Sequence, residues 1–376
     1  MSSSYKAVVA ESYSSPPNVQ SLNRPTPANG EVLVRILATP ILAYEKYILN
    51  GSMQYPLKFP LTPGSSAIAR IEEPLPSDAV ALCPGQLVFC DITVRARDDP
   101  DVLFLLGVHG GMGPSLDLME GPWRNGSFAE VAKWPLENVY PVNEERLCSD
   151  ETQKGFGYSF ADLAYLGACL VPFGGLAGKV NAGDIIIVAP ATGQFGGAAV
   201  CVALAMGASV IAAGRNKVTL AKIAKVHAST GRISTVALSG DPMKDSESFK
   251  QYTSGGKGAD VYIDLSPPEA TNSTHILAAT LAMKRGGTIV LMGGVGGHLS
   301  LPYSLVMHSN LQICGNFMYD RATVVQAIKM VEQGSLGLSE KDTGVKSNVF
   351  GLEQFGEAVE AAAAGKGWGS QAVLKP

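Results

Sequence analysis

Ala191-Thr192-Gly193-Gln194-Phe195-Gly196 lies between an apolar β-branched run, Ile185–Val188, and a small-residue run, Ala198–Ala208. Glycines at 193 and 196 allow a backbone to approach a pyrophosphate. The free amides and positive dipole end of the following helix would hold its charge. Ala191 takes the place of the first glycine in the strictest G-x-G-x-x-G pattern, so this turn alone would also suit an ordinary strand-to-helix connection. The next segment favours phosphate. A second apolar strand, Ala208–Ala213, runs into Gly214-Arg215-Asn216-Lys217, where a site for an unphosphorylated ribose ends on Asp or Glu. Gly214 removes the carboxylate that would repel a 2′-phosphate, and Arg215 offers a planar fork of donors to bind one. Lys217 adds charge there or simply begins the next helix. The expected cofactor is NADPH rather than NADH.

The elements that must position these residues divide the chain in two. Residues 1–155 are rich in Pro and Gly with short alternating strands such as Glu31–Leu37 and Gln86–Cys90, an all-β pattern. From about 160 to 315 helices and strands alternate, with Ala259–Asp264 and Gly287–Met292 as later strands of the same parallel sheet. The tail carries an amphipathic helix, Arg321–Glu332, and a closing strand, Gln371–Leu374. The 376 residues suffice for two domains with their own cores. A net charge of −4 with 16% charged residues leaves no basic stripe for nucleic acid. No apolar run approaches the ~18 residues of a membrane span, and the first residues lack a signal-peptide core. Six cysteines (83, 90, 148, 169, 201 and 314) form no C-x-x-C pair. That is thiol usage of a reducing compartment, and a cytoplasmic location is expected.

This order of elements, together with Lys6–Val9, Gly51, Leu61-Thr62-Pro63-Gly64, Asn125–Glu130, Val180–Asp184 and the glycine turn, resembles the medium-chain dehydrogenase/reductase superfamily over nearly the whole chain. Leu311–Arg321 is similar to its alcohol-dehydrogenase branch. The resemblance implies an α/β protein: a β-rich, GroES-like catalytic domain over 1–155, completed by 316–376, and a Rossmann domain with a doubly wound parallel sheet over 156–315. It further implies a nicotinamide oxidoreductase, and homodimers joined through cofactor-domain sheet edges.

Departures from the family then shape the chemistry expected. Zinc-dependent members hold the metal with Cys, His and a second Cys. Here Leu42 falls at the first ligand position, and Ser65 and Ser66 fall where His and Glu would follow Gly64. Cys169 lies near the last ligand position and reads as core. Residues 91–124, where relatives carry a four-cysteine lobe, contain no cysteine. His109, alone in a Gly-rich stretch, reads as solvated. The implied enzyme is zinc-independent, like quinone oxidoreductases and enoyl reductases, in which hydride addition leaves an enolate that needs a hydrogen bond or a proton. By the same resemblance Tyr44 falls where relatives carry a substrate-touching Ser or Thr, Tyr47 matches a quinone-reductase tyrosine, and Tyr55 matches an enoyl-reductase loop tyrosine. Each could equally pack a helix. Leu265, Gly293, Gly294 and Val295 fall at strand ends that line the cofactor in the superfamily.

The expected function is NADPH-dependent hydride transfer to an activated C=C bond of a small hydrophobic carbonyl compound, or to a quinone. The alternatives are a zinc-free alcohol dehydrogenase or ketone reductase, and a catalytically silent NADPH-binding protein. The insertion 91–126 could cover a cleft or serve as a subunit contact.

Overall fold

The computed structural model describes residues 4–376. The chain forms two compact units, one comprising residues up to 167 with 346–366 and 370–376, the other 168–345 with 367–369.

The first unit is built on the long strand Glu31–Ile41, whose residues are almost all buried. Its sheet runs Lys346–Gly351, Ser370–Lys375, Glu31–Ile41, Ala67–Ile71, Leu87–Cys90, Val139–Pro141, with Val131–Pro135 also paired to Glu31–Ile41. Apart from the parallel pair Lys346–Gly351 and Ser370–Lys375, these pairings are antiparallel. Phe89, Phe128 and Trp134 fill its interior, and the Trp134 indole N–H donates to the Asp91 carbonyl at 2.8 Å. Burying an indole requires such an acceptor. The short helix Glu45–Leu49 packs on the helix Phe355–Ala364 near its sheet, and Lys46 pairs with Glu360 at 2.7 Å.

The insertion is a folded substructure of this unit. Thr93–Arg95 and Leu103–Leu105 form a hairpin, and the helix Pro114–Glu120 closes on it through Ser115 Oγ to the Leu103 carbonyl, 3.1 Å. Phe104, Leu106, Val108, Met119 and Trp123 are buried, so apolar packing anchors the whole excursion.

The second unit carries a six-stranded parallel sheet in the order Ile233–Ala237, Ser209–Gly214, Ile185–Val188, Ala259–Asp264, Met283–Leu291, Gln312–Gly315. Strand order reverses between Ile185–Val188 and Ala259–Asp264, and sheets of this kind bind ligands beyond the carboxyl ends of the strands at such a reversal. The central strand is apolar because both of its faces are covered: Ile186, Ile187 and Val188 have no exposed surface. The helix Gln194–Ala205 starts four residues before the small-residue run that announced it. Its positions 196–204 are all buried, so a helix apolar all round is what this site requires.

The expected β-rich and parallel-sheet parts are both present, but the chain crosses between them later than at 155 and 315. Residues 156–167 stay with the first unit because Ala161 is tied to its sheet. The Ala161 carbonyl accepts from Gln371 Nε2 at 3.1 Å and from Ser347 Oγ at 3.4 Å. Residues 316–345 stay with the second unit. There the helix Arg321–Glu332 buries Val324, Ala327 and Val331, and Met318-Tyr319 lies so close to Gly174 that a Cβ at 174 would meet the Met318 carbonyl at 2.3 Å.

Candidate functional site

Only three residues separate the strand Ile185–Val188 with its cap, Ala189-Pro190, from the helix that starts at Gln194. Ala191, at the position of the first glycine, is fully buried, and its N–H donates to the Ala213 carbonyl at 2.7 Å. A Cβ on Gly196 would sit 2.0 Å from the Pro190 carbonyl and 2.9 Å from Ala191 Cα, so Gly196 is required for the helix to approach the strand. A Cβ on Gly193 would meet nothing, which leaves the mouth of the turn open. No side chain caps this helix, and Gln194 Oε1 is a buried acceptor without a partner among the described residues. Phe195 takes the next helical position, partly covered.

The strand Ser209–Gly214 ends beside this turn. A Cβ on Gly214 would press on Thr192 Cγ2 at 2.8 Å, so Thr192 accounts for the glycine as well as the missing carboxylate does. Arg215 and Lys217 are exposed and have no ion-pair partner among the described residues. Asn216 is structural. Its Oδ1 accepts the N–H groups of Val218 and Thr219 and caps the helix Lys217–Val226. Lys217 is that helix's first residue, so both sequence readings of it meet in one position.

Two features here escaped sequence reasoning. The first is Trp368. It comes from the far end of the chain, donates its backbone N–H to the Thr192 carbonyl at 2.9 Å and its indole N–H to the Thr343 carbonyl at 3.1 Å. A Cβ on Gly197 would be 2.2 Å from its ring, and the paired glycines 196 and 197 were the available signal. The second is a buried polar cluster at the ends of Ala259–Asp264 and Met283–Leu291. Asp264 Oδ1 accepts from Ser266 Oγ at 2.5 Å and from Tyr262 Oη at 3.2 Å, and lies 3.1 Å from His275 Nε2. Ser273 Oγ meets His275 Nδ1 at 2.5 Å. A Cβ on Gly293 would be 2.4 Å from Asp264 Oδ2, and the Gly294 N–H donates to the Ser266 carbonyl at 2.8 Å. The cluster therefore fixes the strand-end segments that hold Leu265 and Gly293-Gly294-Val295. Gly293 and Gly294 are exposed, and Leu265 and Val295 are partly covered.

In the first unit the structure brings Tyr44 and Tyr55 together and leaves Tyr47 out. The Tyr44 and Tyr55 rings meet edge to face, centroids 6.3 Å apart, whereas Tyr47 is exposed on the helix Glu45–Leu49. The third member is His109, whose ring stands 4.4 Å from that of Tyr55 at 68°. The lone histidine is thus half-buried against an aromatic ring, not a fully solvated loop residue. Its contact with Tyr55 joins segments that no local pattern connects. Neither tyrosine hydroxyl nor His109 Nε2 has a hydrogen-bond partner among the described residues, and none of the three is sealed from water. Tyr44 keeps some surface open but lies deep among protein atoms, and burial pushes both its hydroxyl and that of Tyr55 above the usual phenol range. Both stay protonated, as donors, at neutral pH.

Glu45, next to Tyr44, is fully buried, and neither carboxyl oxygen has a partner among the described residues. Burial raises its pKa to about 8.

Where zinc-dependent relatives place His and Glu, buried hydroxyls interlock. Thr39 Oγ1 lies 2.6 Å from Ser127 Oγ, and Ser127 Oγ donates to the Ser65 carbonyl at 2.8 Å and accepts the Ser65 N–H at 2.9 Å. Ser65 Oγ donates to the Pro40 carbonyl, and a Cβ on Gly167 would be 2.1 Å from Ser66 Oγ. Cys169 is buried in the second unit, with its thiol raised well above the usual range by burial. No group of three His, Cys, Asp or Glu among the described residues could hold a metal ion. No helix among them is long and apolar enough to cross a membrane.

A family model described as zinc-binding dehydrogenase matches residues 195–333. A protein named "Probable D-xylulose reductase A" from Arthroderma otae is 30% identical over 190 residues, 50% of this chain and 50% of that relative. The match therefore spans about half the length of the curated relative. Among solved structures, AibC aligns with a TM-score of 0.78 at 18% identity, over 100% of this chain and 96% of its own. A zinc-binding dehydrogenase from Sinorhizobium meliloti 1021 bound to NADP aligns at 0.76 and 20% identity over 100% of both chains. An alcohol dehydrogenase (rspB) from E. coli CFT073 complexed with NADH aligns at 0.76 and 18% identity, again over 100% of both. Identities this low establish a shared fold and leave the choice between NADP and NAD to the residues of this chain.

Proposed function

We propose that the chain is a member of the medium-chain dehydrogenase/reductase superfamily, supported by the zinc-binding dehydrogenase model over residues 195–333 and the shared fold, and that it is an NADPH-dependent, zinc-independent reductase of activated C=C bonds or quinones. The observation that carries this reading is the set of open donors around Tyr44 and Tyr55 in a chain with Leu42 at the first zinc-ligand position, Ser65 and Ser66 in place of the His and its neighbouring Glu, and the lone Cys169 near the last. The zinc named by the family description does not fit these residues: the first ligand position is the apolar Leu42, the second is Ser65 in the hydroxyl cluster, and Cys169 near the last is a single buried thiol.

The nicotinamide cofactor does fit. The open mouth at Gly193, the uncapped helix behind it and the unpartnered Gln194 Oε1 form a cradle for a pyrophosphate and its riboses. Arg215 and Lys217 supply positive charge at the place of a 2′-phosphate. When bound, NADPH supplies the hydride that adds to the β-carbon of an unsaturated carbonyl and shifts the C=C electron pair onto oxygen. The two phenols, protonated at neutral pH, donate hydrogen bonds to the oxygen on which that charge develops. A proton from solvent or a phenol then completes the α-carbon. Delocalised enolate charge suits neutral donors, whereas a plain ketone would place a localised alkoxide on the same groups. A zinc-free ketone reductase is the second reading, favoured by the alcohol-dehydrogenase names among the structural neighbours. Six unpaired thiols support a cytoplasmic setting, and a homodimer through cofactor-domain sheet edges belongs to the same proposal.

Removal of each hydroxyl tests this reading. Tyr44→Phe and Tyr55→Phe are expected to lower kcat for an enone about tenfold while leaving the KM for NADPH unchanged. Unchanged kcat in both variants would remove the phenols from the reaction.

A further inference from the structure

We infer that His109 is a third donor to the substrate's carbonyl oxygen, presenting the Nε2–H of a neutral imidazole beside Tyr55; this rests on reading the Tyr44–Tyr55 group as the substrate site. The tautomer follows from geometry. The Gly111 N–H donates to His109 Nδ1 at 2.9 Å, so Nδ1 is an acceptor and a neutral ring carries its proton on Nε2. No carboxylate pairs with the ring among the described residues, and burial lowers its pKa, which keeps it neutral.

The turn that carries His109 is held on all sides. Leu105 and His109 exchange backbone hydrogen bonds at 2.8 and 2.9 Å, and the Gly110 N–H donates to the Pro56 carbonyl at 2.7 Å, which docks the turn on the residue after Tyr55. A Cβ on Gly110 would meet Leu116, Met119 and the Pro56 carbonyl at 2.8–2.9 Å. Gly111 has φ +70°, and a Cβ there would lie 2.7 Å from Ser115. Such packing fixes the imidazole against Tyr55 and leaves Nε2 as its one donor without a protein partner among the described residues. A purely structural ring in this place would need neither the oriented tautomer nor an open Nε2. A neutral donor strengthens its hydrogen bond as charge develops on the oxygen, without requiring an anion in the resting state.

Two measurements on the full-length protein test this. In ¹⁵N-histidine NMR the His109 signals, assigned by their loss in His109→Gln, are expected to show the Nε2–H tautomer at neutral pH. They should shift when 2-cyclohexen-1-one is added. An Nδ1–H tautomer, or signals indifferent to the enone, would overturn the inference whether or not the protein turns over. With NADPH and 2-cyclohexen-1-one, His109→Phe keeps a ring against Tyr55 but has no donor. It is expected to lower kcat about tenfold with NADPH KM and melting temperature unchanged, and His109→Gln, which keeps an N–H, should recover most of the loss. Wild-type kcat in His109→Phe would also overturn it. A wild-type protein inactive on every enone, quinone and ketone would instead refute the functional reading, while the NMR result still decides the role of His109.

Discussion

Arg215→Ala is expected to raise the KM for NADPH tenfold to about a hundredfold and to leave the KM for NADH within about twofold. The size follows from a charge-assisted, two-pronged hydrogen bond to a phosphate, worth about 1.5–3 kcal/mol when a charged group takes part. The selectivity follows from position. Arg215 stands one residue beyond the end of the strand Ser209–Gly214, exposed and without an ion-pair partner among the described residues, so its loss disturbs no internal bond. Gly214 before it has no side chain, and Asn216 after it is occupied as a helix cap. Lys217 is a second exposed cation two residues on, and Arg215→Ala/Lys217→Ala should add a smaller increment to the NADPH effect alone. Steady-state kinetics with both cofactors decide this. Equal losses for NADPH and NADH would show that Arg215 does not bind the phosphate.

Glu45→Gln is expected to stabilise the protein, and more so as pH rises. Burial raises the folded-state pKa of Glu45 to about 8 from an ordinary glutamate value of 4.5. Below the lower value the carboxyl is protonated in both states and no ionisation penalty arises. Between the two, the unfolded chain releases the proton while the folded chain retains it, so stability falls as pH rises. Above about 8 the loss is complete and levels off. At about 1.36 kcal/mol per pKa unit, the penalty removed by the neutral amide is on the order of 5 kcal/mol. Gln preserves the shape and avoids the cavity an alanine would leave. Melting temperatures of both proteins at about pH 5 and about pH 8.5 should diverge with pH. A constant difference would mean that Glu45 has a compensating partner in solution.

The parts of this molecule that were legible in the sequence are those set by local pattern. Ile185–Val188 had to be a strand covered on both faces, and Gly214-Arg215-Asn216-Lys217 marked the end of the next strand and the start of the helix after it. The hidden parts are contacts between residues distant along the chain. His109 meets Tyr55 because an insertion folds back and docks on Pro56, and no spacing rule connects the two. Asp264, Ser266 and His275 lie in apolar or turn segments, where each polar residue alone reads as incidental. Only the fold shows them converging on one carboxyl oxygen. Tyr47 was indistinguishable from Tyr44 by type. Tyr44 caps and Tyr47 lies within one short helix, and their directions depend on how it packs against Phe355–Ala364. The crossings between the units also moved, because Ala161 and Met318 are held by partners far along the chain.

Reduction of a conjugated acceptor by NADPH without zinc is tested most directly by NADPH oxidation, followed at its near-ultraviolet absorbance. The protein is first stripped with chelator and shown free of zinc. The acceptors are 2-cyclohexen-1-one, menadione and cyclohexanone. The expected result is turnover of the enone or the quinone at the same rate before and after stripping, with little or none on the plain ketone. Turnover confined to cyclohexanone, or activity that returns only with added zinc, would contradict it and place the chain with the alcohol dehydrogenases.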